Sequence, residues 1–209
     1  MRVIGINGSP RKNKNSATLL EKALCGAEEN GAETKIYHLI DHTFSGCRSC
    51  FACKKLGGAS FGKCAVRDDL APILDEILNA DGLILSMPVY FGNVPGMVRN
   101  LMERLWFPGL LYRKDGKLAY DKTIKVGLIY TMNAPDEHYY DALIASHKGT
   151  FERFFGETSI LCATDTLQYD DYSLYTGDMF DPVHKKERHQ TVFPQDCEKA
   201  RAMGVSLLL

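Results

Sequence analysis

Short apolar runs alternate along the chain with longer segments in which apolar residues recur at helical spacing. Four runs, 3–7, 83–87, 126–130 and 160–163, are apolar almost throughout, and a fifth, 35–39, alternates polar and apolar positions. The strands of a parallel sheet are covered on both faces and are therefore apolar almost throughout. The continuous apolar runs thus favour a parallel sheet. The pattern therefore predicts five strands, most of them buried.

The segments between these runs have the pattern of amphipathic helices. Apolar residues share one helical face in four of them, and a last helix is predicted from about residue 194. The four faces are Leu20, Ala23, Leu24 and Ala27, then Leu70, Ile73, Leu74 and Ile77, then Val98, Leu101, Met102 and Leu105, then Tyr140, Leu143, Ile144 and His147. This alternation predicts a doubly wound α/β fold with a parallel five-stranded sheet, flavodoxin-like order 2-1-3-4-5, and helices on both faces.

Two stretches fall outside the alternation. Residues 110–120, "LLYRKDGKLAY", place Asp115-Gly116 between two short β-like runs, which predicts a hairpin-like insertion. Residues 166–193 carry several aromatic residues but no period, which predicts an irregular arm before the last helix. The arm is interpreted either as a surface excursion or as a cover over a site or a second subunit.

Composition narrows the class of protein. The 209 residues, 45% hydrophobic and 24% charged with a net charge of −1, suit one domain, 1–209, and give no sign of a nucleic-acid or membrane partner. No run approaches the length of about 18 apolar residues that a membrane span needs. The chain opens on a strand pattern rather than a signal segment, which predicts a cytoplasmic protein.

The stretch "GSPRKNKNSATLL", positions 8–20, follows the first predicted strand and leads into a helix. In open α/β sheets, ligands bind at the carboxyl edge of the strands, where this stretch lies. Gly8 permits a tight turn, the hydroxyls and the helix start favour an anion, and Arg11 offers a planar fork for phosphate. The spacing matches neither a dinucleotide glycine fingerprint nor a nucleotide P-loop. The alternative interpretation is that Ser16 is a helix N-cap and the cations are solvated.

Two further loops reach the same edge. "SMPVYFGNVPGMV" follows the third strand and offers aromatic surface beside backbone amides, which suits a planar heterocycle with polar edges. The alternative is a pair of core aromatic residues and a helix entry turn. "YTMNAPDEH" follows the fourth strand and places Thr131, Met132 and Asn133 at the same edge, but it is a weak signal.

These motifs, together with "AVRDDLAPILDEILNADGLIL" and the cysteine group between them, resemble the NAD(P)H-dependent FMN reductase family of the flavodoxin-like superfamily, in particular its iron-sulfur flavoprotein branch. The resemblance runs from about residue 1 to 165, and "VFPQDCEKARAMGVSLL" resembles the family's last helix. It implies that FMN phosphate is bound by Ser9, Arg11, Asn15, Ser16, Ala17 and Thr18. It implies that the isoalloxazine ring is bound by Pro88, Val89, Tyr90, Phe91, Gly92 and Asn93, with Thr131 on the other side. On this basis Lys12 and Lys14 are expected to be solvated neighbours.

Four of the seven cysteines lie close together in the sequence. Cys47, Cys50 and Cys53 are spaced by two residues each, and ten residues separate Cys53 from Cys64. Three hypotheses stay open: a [4Fe-4S] cluster ligated by these four cysteines, a set of free or redox-active thiols, and zinc. The iron-sulfur flavoproteins have a shorter last gap, which weakens the case for Cys64 as a ligand. Cys25, Cys162 and Cys197 are expected to behave as small hydrophobic residues.

The resemblance implies an FMN-dependent oxidoreductase that accepts hydride from NAD(P)H and passes electrons to a quinone, a nitroaromatic compound, a flavin or a redox protein. No catalytic side chain is named, because the flavin carries the chemistry and the protein positions the reactants. One alternative is an electron-transfer protein whose FMN, with or without a cluster, serves a ferredoxin-like partner without NAD(P)H. Another is a redox sensor that uses its cysteines as a switch. The resemblance also implies a homodimer or a homotetramer.

Overall fold

A parallel sheet of five strands forms the centre of the molecule, in the order β2-β1-β3-β4-β5. The computed structural model describes residues 1–209. The strands are β1 (Arg2–Asn7), β2 (Glu33–His38), β3 (Gly82–Pro88), β4 (Lys125–Thr131) and β5 (Thr158–Ala163). The predicted fold class and strand order are confirmed, and each observed strand overlaps its predicted run.

Six helices cover the two faces of the sheet. They are α1 (Asn15–Glu29), α2 (Leu70–Asn79), α3 (Gly96–Gly109), α4 (Asp141–Phe154), α5 (Pro182–Thr191) and α6 (Phe193–Ser206). One apolar core lies between the sheet and α2, α3 and α4, and a second lies between the sheet, α1 and α6. The predicted apolar faces of α1, α2 and α3 are buried, whereas only His147 of the fourth predicted face is fully buried. None of the helices combines the length and the apolar character that a bilayer crossing requires.

Helices α1 and α6 pack with their backbones in direct contact. A Cβ atom on Gly204 would lie 1.7 Å from the carbonyl oxygen of Ala23, and one on Gly26 would lie 2.1 Å from the carbonyl oxygen of Arg201. Any side chain at either position would force the helices apart, because such distances are far below van der Waals contact. The last helix of the chain therefore fixes the position of the first.

The expectation that residues 166–193 are irregular is wrong for residues 182–191, which form α5. The Asp181 side chain accepts hydrogen bonds from the N–H groups of Val183 and His184, and Pro182 occupies the first turn. The buried residues of α5 are Lys185 and Arg188 rather than apolar ones, so the helix has no hydrophobic stripe. In the 110–120 insertion, one antiparallel bridge joins Leu110 and Leu118.

Candidate functional site

A cleft lies at the carboxyl edge of the sheet, where the segments that follow β1, β3, β4 and β5 meet. Its volume is about 400 Å³, within the range of small-molecule sites. Polar side chains and the aromatic residues of the segment after β3 both line it. The lining residues are Ser9, Arg11, Lys14, Asn15, Ser16, Pro88, Val89, Tyr90, Phe91, Thr131, Met132, Asn133, Thr166 and Gln168.

The segment between β1 and α1, residues 8–14, is called the first loop. Gly8 lies close against the sheet, where its N–H donates to the carbonyl oxygen of Ser86 over 2.8 Å. A Cβ atom at Gly8 would lie 2.3 Å from a methyl carbon of Val98, so there is no room for a side chain. The Ser9 N–H donates to the Asn7 side chain (3.0 Å), and the Arg11 N–H donates to the Ser9 hydroxyl (3.1 Å). These local bonds hold the loop in a compact, defined shape.

Helix α1 begins at Asn15 and has no side-chain cap. Ser16 is not an N-cap: its buried hydroxyl lies 2.7 Å from the Thr131 hydroxyl, and its carbonyl oxygen accepts a hydrogen bond from Ser86 Oγ over 2.7 Å. The first intrahelical bond at this end is donated by the Thr18 N–H to Lys14. The earlier N–H groups of the helix are thus available to an anion in the cleft, where the helix dipole adds to the attraction.

The three cations of the first loop have different partners. Arg11 Nη1 donates to the carbonyl oxygen of Gln168 over 2.6 Å, which leaves its other donors for a ligand. Lys14 lines the cleft and forms an exposed ion pair with Asp170, 2.6 Å away. Lys12 does not line the cleft and pairs with Asp41. The expectation that Lys14 is only a solvated neighbour is therefore wrong.

A tight turn displays the aromatic residues after β3. Tyr90 and Asn93 exchange backbone hydrogen bonds of 2.6 and 3.0 Å across the turn. Phe91 and Gly92 at its tip have φ angles of +50° and +74°, the left-handed region that glycine adopts without strain. As a result the Phe91 side chain is fully exposed at the mouth of the cleft. A non-glycine residue in this conformation is typical of a functional loop.

Most of the predicted cofactor-binding residues line the cleft, but four do not: Ala17, Thr18, Gly92 and Asn93. Ala17 is buried in the core between α1 and the sheet, and the Asn93 side chain accepts a hydrogen bond from the Val94 N–H. Five lining residues were not among the predicted cofactor-binding residues: Lys14, Met132, Asn133, Thr166 and Gln168. Met132 and Asn133 were expected at this edge of the sheet, but without a binding role. Thr166 and Gln168 follow β5, which is the neighbour of β4, so their place at the sheet edge was the available signal.

The beginning of the arm, residues 166–193, joins the two sides of the cleft. The Asn15 side-chain amide donates to the carbonyl oxygen of Leu167 over 2.8 Å, and the Asn133 amide donates to Gln168 Oε1 over 3.0 Å. Beyond these contacts Tyr169 stacks on Tyr175 with ring centroids 4.1 Å apart. The arm is therefore part of the cleft wall.

A separate region carries the four grouped cysteines. In the cysteine segment, residues 43–66, these thiols line one small cavity of about 20 Å³ against the second half of α3. Cys53 is buried, Cys50 is exposed, and burial raises the pKa of the Cys53 thiol. No group of three or more His, Cys, Asp or Glu side chains is arranged to hold a metal ion. The four thiols share a cavity but do not converge on one centre.

Two cations attach the cysteine segment to α3. Arg104 is almost completely buried and donates to Asp68 (2.6 Å), to two backbone carbonyl groups and, through Nε, to Cys64 Sγ (3.3 Å). Burial opposes ionisation of Asp68, but Arg104 outweighs it and holds the pKa of that carboxyl below its ordinary value. At the other end, Lys54 donates to the carbonyl oxygens of Phe107, Pro108 and Leu110 at the end of α3.

Comparison with known proteins places this chain in one protein family. A model of the family described as NADPH-dependent FMN reductase matches residues 1–134. An iron-sulfur flavoprotein of Methanocaldococcus jannaschii is 42% identical over 104 residues, which are 50% of this chain and 51% of that protein. An NADPH-dependent FMN reductase of Escherichia coli is 32% identical over 105 residues, 50% of this chain and 48% of that protein. The matched segment spans about half the length of these curated relatives.

Solved structures share the whole fold. An NAD(P)H:quinone oxidoreductase from Methanothermobacter marburgensis superposes with a TM-score of 0.70 at 16% identity, over 100% of this chain and 98% of that one. An azoreductase from Bacillus anthracis gives a TM-score of 0.68 at 12% identity, over 98% and 99% of the two chains. At such low identity these structures establish the architecture only.

Proposed function

Because the chain belongs to the NADPH-dependent FMN reductase family, we propose that it binds FMN in the cleft and acts as an oxidoreductase that accepts hydride from NAD(P)H. One observation carries the proposal: the segment around the uncapped start of α1, with Arg11, and the aromatic residues Tyr90 and Phe91 line a single cleft. FMN has a phosphate at one end and a planar ring at the other, so it can use both kinds of group at once. When bound, FMN supplies the ring that accepts hydride.

The side chains of the cleft have distinct parts in this proposal. Ser9, Arg11 and the first N–H groups of α1 bind the phosphate, because they combine donors with a positive dipole end. Tyr90 and Phe91 pack on the ring. No side chain is assigned a proton transfer, since hydride transfer to a flavin depends on the placement of the two rings.

The same cleft supports a small acceptor, such as a quinone or a free flavin, that replaces the nicotinamide after the first transfer. The names of the solved structures with this fold, a quinone oxidoreductase and azoreductases, are consistent with such acceptors. We infer that the protein works as a homodimer or a homotetramer, as the family resemblance implies.

The test of FMN binding separates the phosphate from the ring. Arg11→Ala is expected to weaken FMN binding about 10- to 100-fold, the worth of a charge-assisted hydrogen bond, and riboflavin binding by much less. Lys12→Ala is the matched control, because Lys12 is a cation of the same loop that does not line the cleft. Equal losses for FMN and riboflavin would count against the phosphate site.

The test of activity is anaerobic addition of NADH or NADPH to the FMN-loaded protein. Bleaching of the flavin absorbance is the expected result with at least one of the two. Absence of bleaching with both would favour the second candidate, an electron-transfer protein that serves a ferredoxin-like partner.

A [4Fe-4S] cluster on Cys47, Cys50, Cys53 and Cys64 is the additional cofactor that the second candidate would use. The iron-sulfur flavoprotein relatives and the shared cavity support it. The side chains as arranged do not fit a cluster, since no three of them converge. Anaerobically purified protein tests this point: broad absorbance beyond the two flavin bands indicates a cluster, and a pure flavin spectrum argues against one.

A further inference from the structure

Lys185 is a buried cation directly behind the cleft. It lies on α5, and only 3% of its side chain is exposed. Its Nζ donates to Asn133 Oδ1 over 2.5 Å and forms an ion pair with Asp165. The Phe180 ring lies 5.0 Å from the same Nζ. A lysine this deep in a protein is rare unless it is paired, and here its second polar partner is a residue of the cleft.

The lysine determines which way the Asn133 carboxamide faces. An ammonium group only donates, so the atom beside it must be the amide oxygen. The amide nitrogen consequently faces Gln168, to which it donates over 3.0 Å. A carboxamide nitrogen carries two N–H groups. Gln168 takes one, and the other is left for a ligand in the cleft, whose wall Asn133 forms.

The backbone at Asp165, the ion-pair partner of Lys185, has an unusual conformation. Asp165, which binds Lys185, has a φ angle of +50°, a strained conformation for a residue other than glycine. Its carboxylate also lies 2.7 Å from His184 Nε2. The Asp165 N–H donates to Ala134 and the Thr166 N–H donates to Met132, so the segments after β4 and β5 stay joined beyond the sheet. Strain of this kind persists where the surrounding contacts hold it in place.

We propose that Lys185 is a positioning residue of the flavin cleft: it holds the Asn133 carboxamide so that an N–H group donates to an acceptor atom on the edge of the FMN ring. The inference rests on the proposed function. A carbonyl oxygen on the ring edge keeps its lone pairs and gains electron density when the flavin is reduced, so a donor fixed beside such an oxygen binds the reduced form more tightly than the oxidised form. Loss of the donor therefore makes the midpoint potential of bound FMN more negative.

The experiment compares Asn133→Ala, Lys185→Met and the double variant. Each single variant is expected to weaken the binding of oxidised FMN and of riboflavin equally, by about tenfold, which corresponds to one hydrogen bond. Each should also shift the midpoint potential of bound FMN to a more negative value. In the Asn133→Ala background, Lys185→Met should cause no further change, because both act through the same amide. Lys186→Met is the matched control, since Lys186 is an exposed neighbour on the same helix.

A second variant distinguishes the proposed effect from a loss of folding. Lys185→Met leaves Asp165 without its buried partner, so Lys185→Met combined with Asp165→Asn removes both charges and should give the same potential shift as Asn133→Ala. Additive effects of Lys185→Met and Asn133→Ala, or an unchanged potential in the folded charge-free variant, would overturn the inference. A parent protein that binds neither FMN nor riboflavin would overturn the proposed function instead.

Discussion

The cleft and the cysteine segment are constructed in opposite ways. The cleft is formed by segments that follow four neighbouring strands, and bonds such as Ser16–Thr131 and Asn133–Gln168 join those segments to one another. The cysteine segment is a long connection between β2 and α2 that Arg104 and Lys54 attach to α3. The geometry of the cleft follows from the sheet, whereas the geometry of the thiols depends on two side chains. Mutations should therefore separate the two regions.

The largest effect is expected from Arg104→Met. Removal of this buried cation leaves Asp68 unpaired and should lower the free energy of unfolding by about 3–5 kcal/mol. Denaturant unfolding measures the loss. Arg99→Met, an exposed cation on the same helix, should change it by less than about 1 kcal/mol. If FMN affinity of the folded Arg104→Met protein fell along with stability, the two regions would not be separable.

A pH effect is expected from His147, which packs between Tyr130 of β4 and Trp106 of α3. Burial, with a smaller contribution from Arg99, lowers the pKa of His147 to about 4. An unfolded histidine titrates near about 6.5, so the unfolded state takes up a proton first as the pH falls. Between these two values the protein should lose up to about 3 kcal/mol of stability.

Denaturant unfolding at several pH values checks the histidine. His147→Gln should show a flatter acid response than the parent, whereas His138→Gln, which removes an exposed histidine whose pKa Asp141 raises, should not flatten it. The same acid loss in His147→Gln would assign the effect to other groups.

A smaller effect is expected at the contact between the start of α1 and β4. Ser16→Ala leaves the Thr131 hydroxyl without its buried partner and should cost about 1–2 kcal/mol of stability. Thr131→Val in the same chain should add little, because both substitutions remove one hydrogen bond. Fully additive costs, measured by denaturant unfolding, would show that the two hydroxyls act independently.

The smallest effect is expected from Asp170→Asn, which breaks the exposed pair with Lys14. Exposed ion pairs contribute at most about 1 kcal/mol, so the thermal midpoint should barely move. This variant is the counterpart of Arg104→Met, since each removes one partner of an ion pair, one exposed and one buried. A loss as large as that of Arg104→Met would show that the arm carries more of the stability than its exposure indicates.

The fold was predictable because three central strands are buried on both faces and must be apolar throughout. β1, β3 and β4 carry that signal, and the helices between them repeat apolar residues at helical spacing. α5 escaped prediction because its inward positions are Lys185 and Arg188, charged groups whose burial depends on Asp165 and Asp196 elsewhere in the chain. The start signal Asp181-Pro182 was present in the sequence, but no apolar stripe followed it.

The cleft was predictable where a residue lies at the carboxyl end of a strand or within two residues of it, as Ser9, Tyr90 and Thr131 do. Gln168 was missed, and Asn133 was placed at the edge of the sheet without a role, because the roles of both depend on contacts between distant segments, which no local pattern encodes. Thr18 and Asn93 illustrate the opposite error. They belong to the right motifs, but neither residue lines the cleft, and motif membership alone does not show which residues do.

The close packing of α1 against α6 at Gly26 and Gly204 has a consequence for the order in which the site is assembled. Residues of both helices belong to the same apolar core on one face of the sheet. The two helices are far apart in the sequence, so the phosphate site at the start of α1 is complete only once α6 has packed. Uptake of the cofactor is expected to follow the docking of α6 rather than to guide the folding of the first loop.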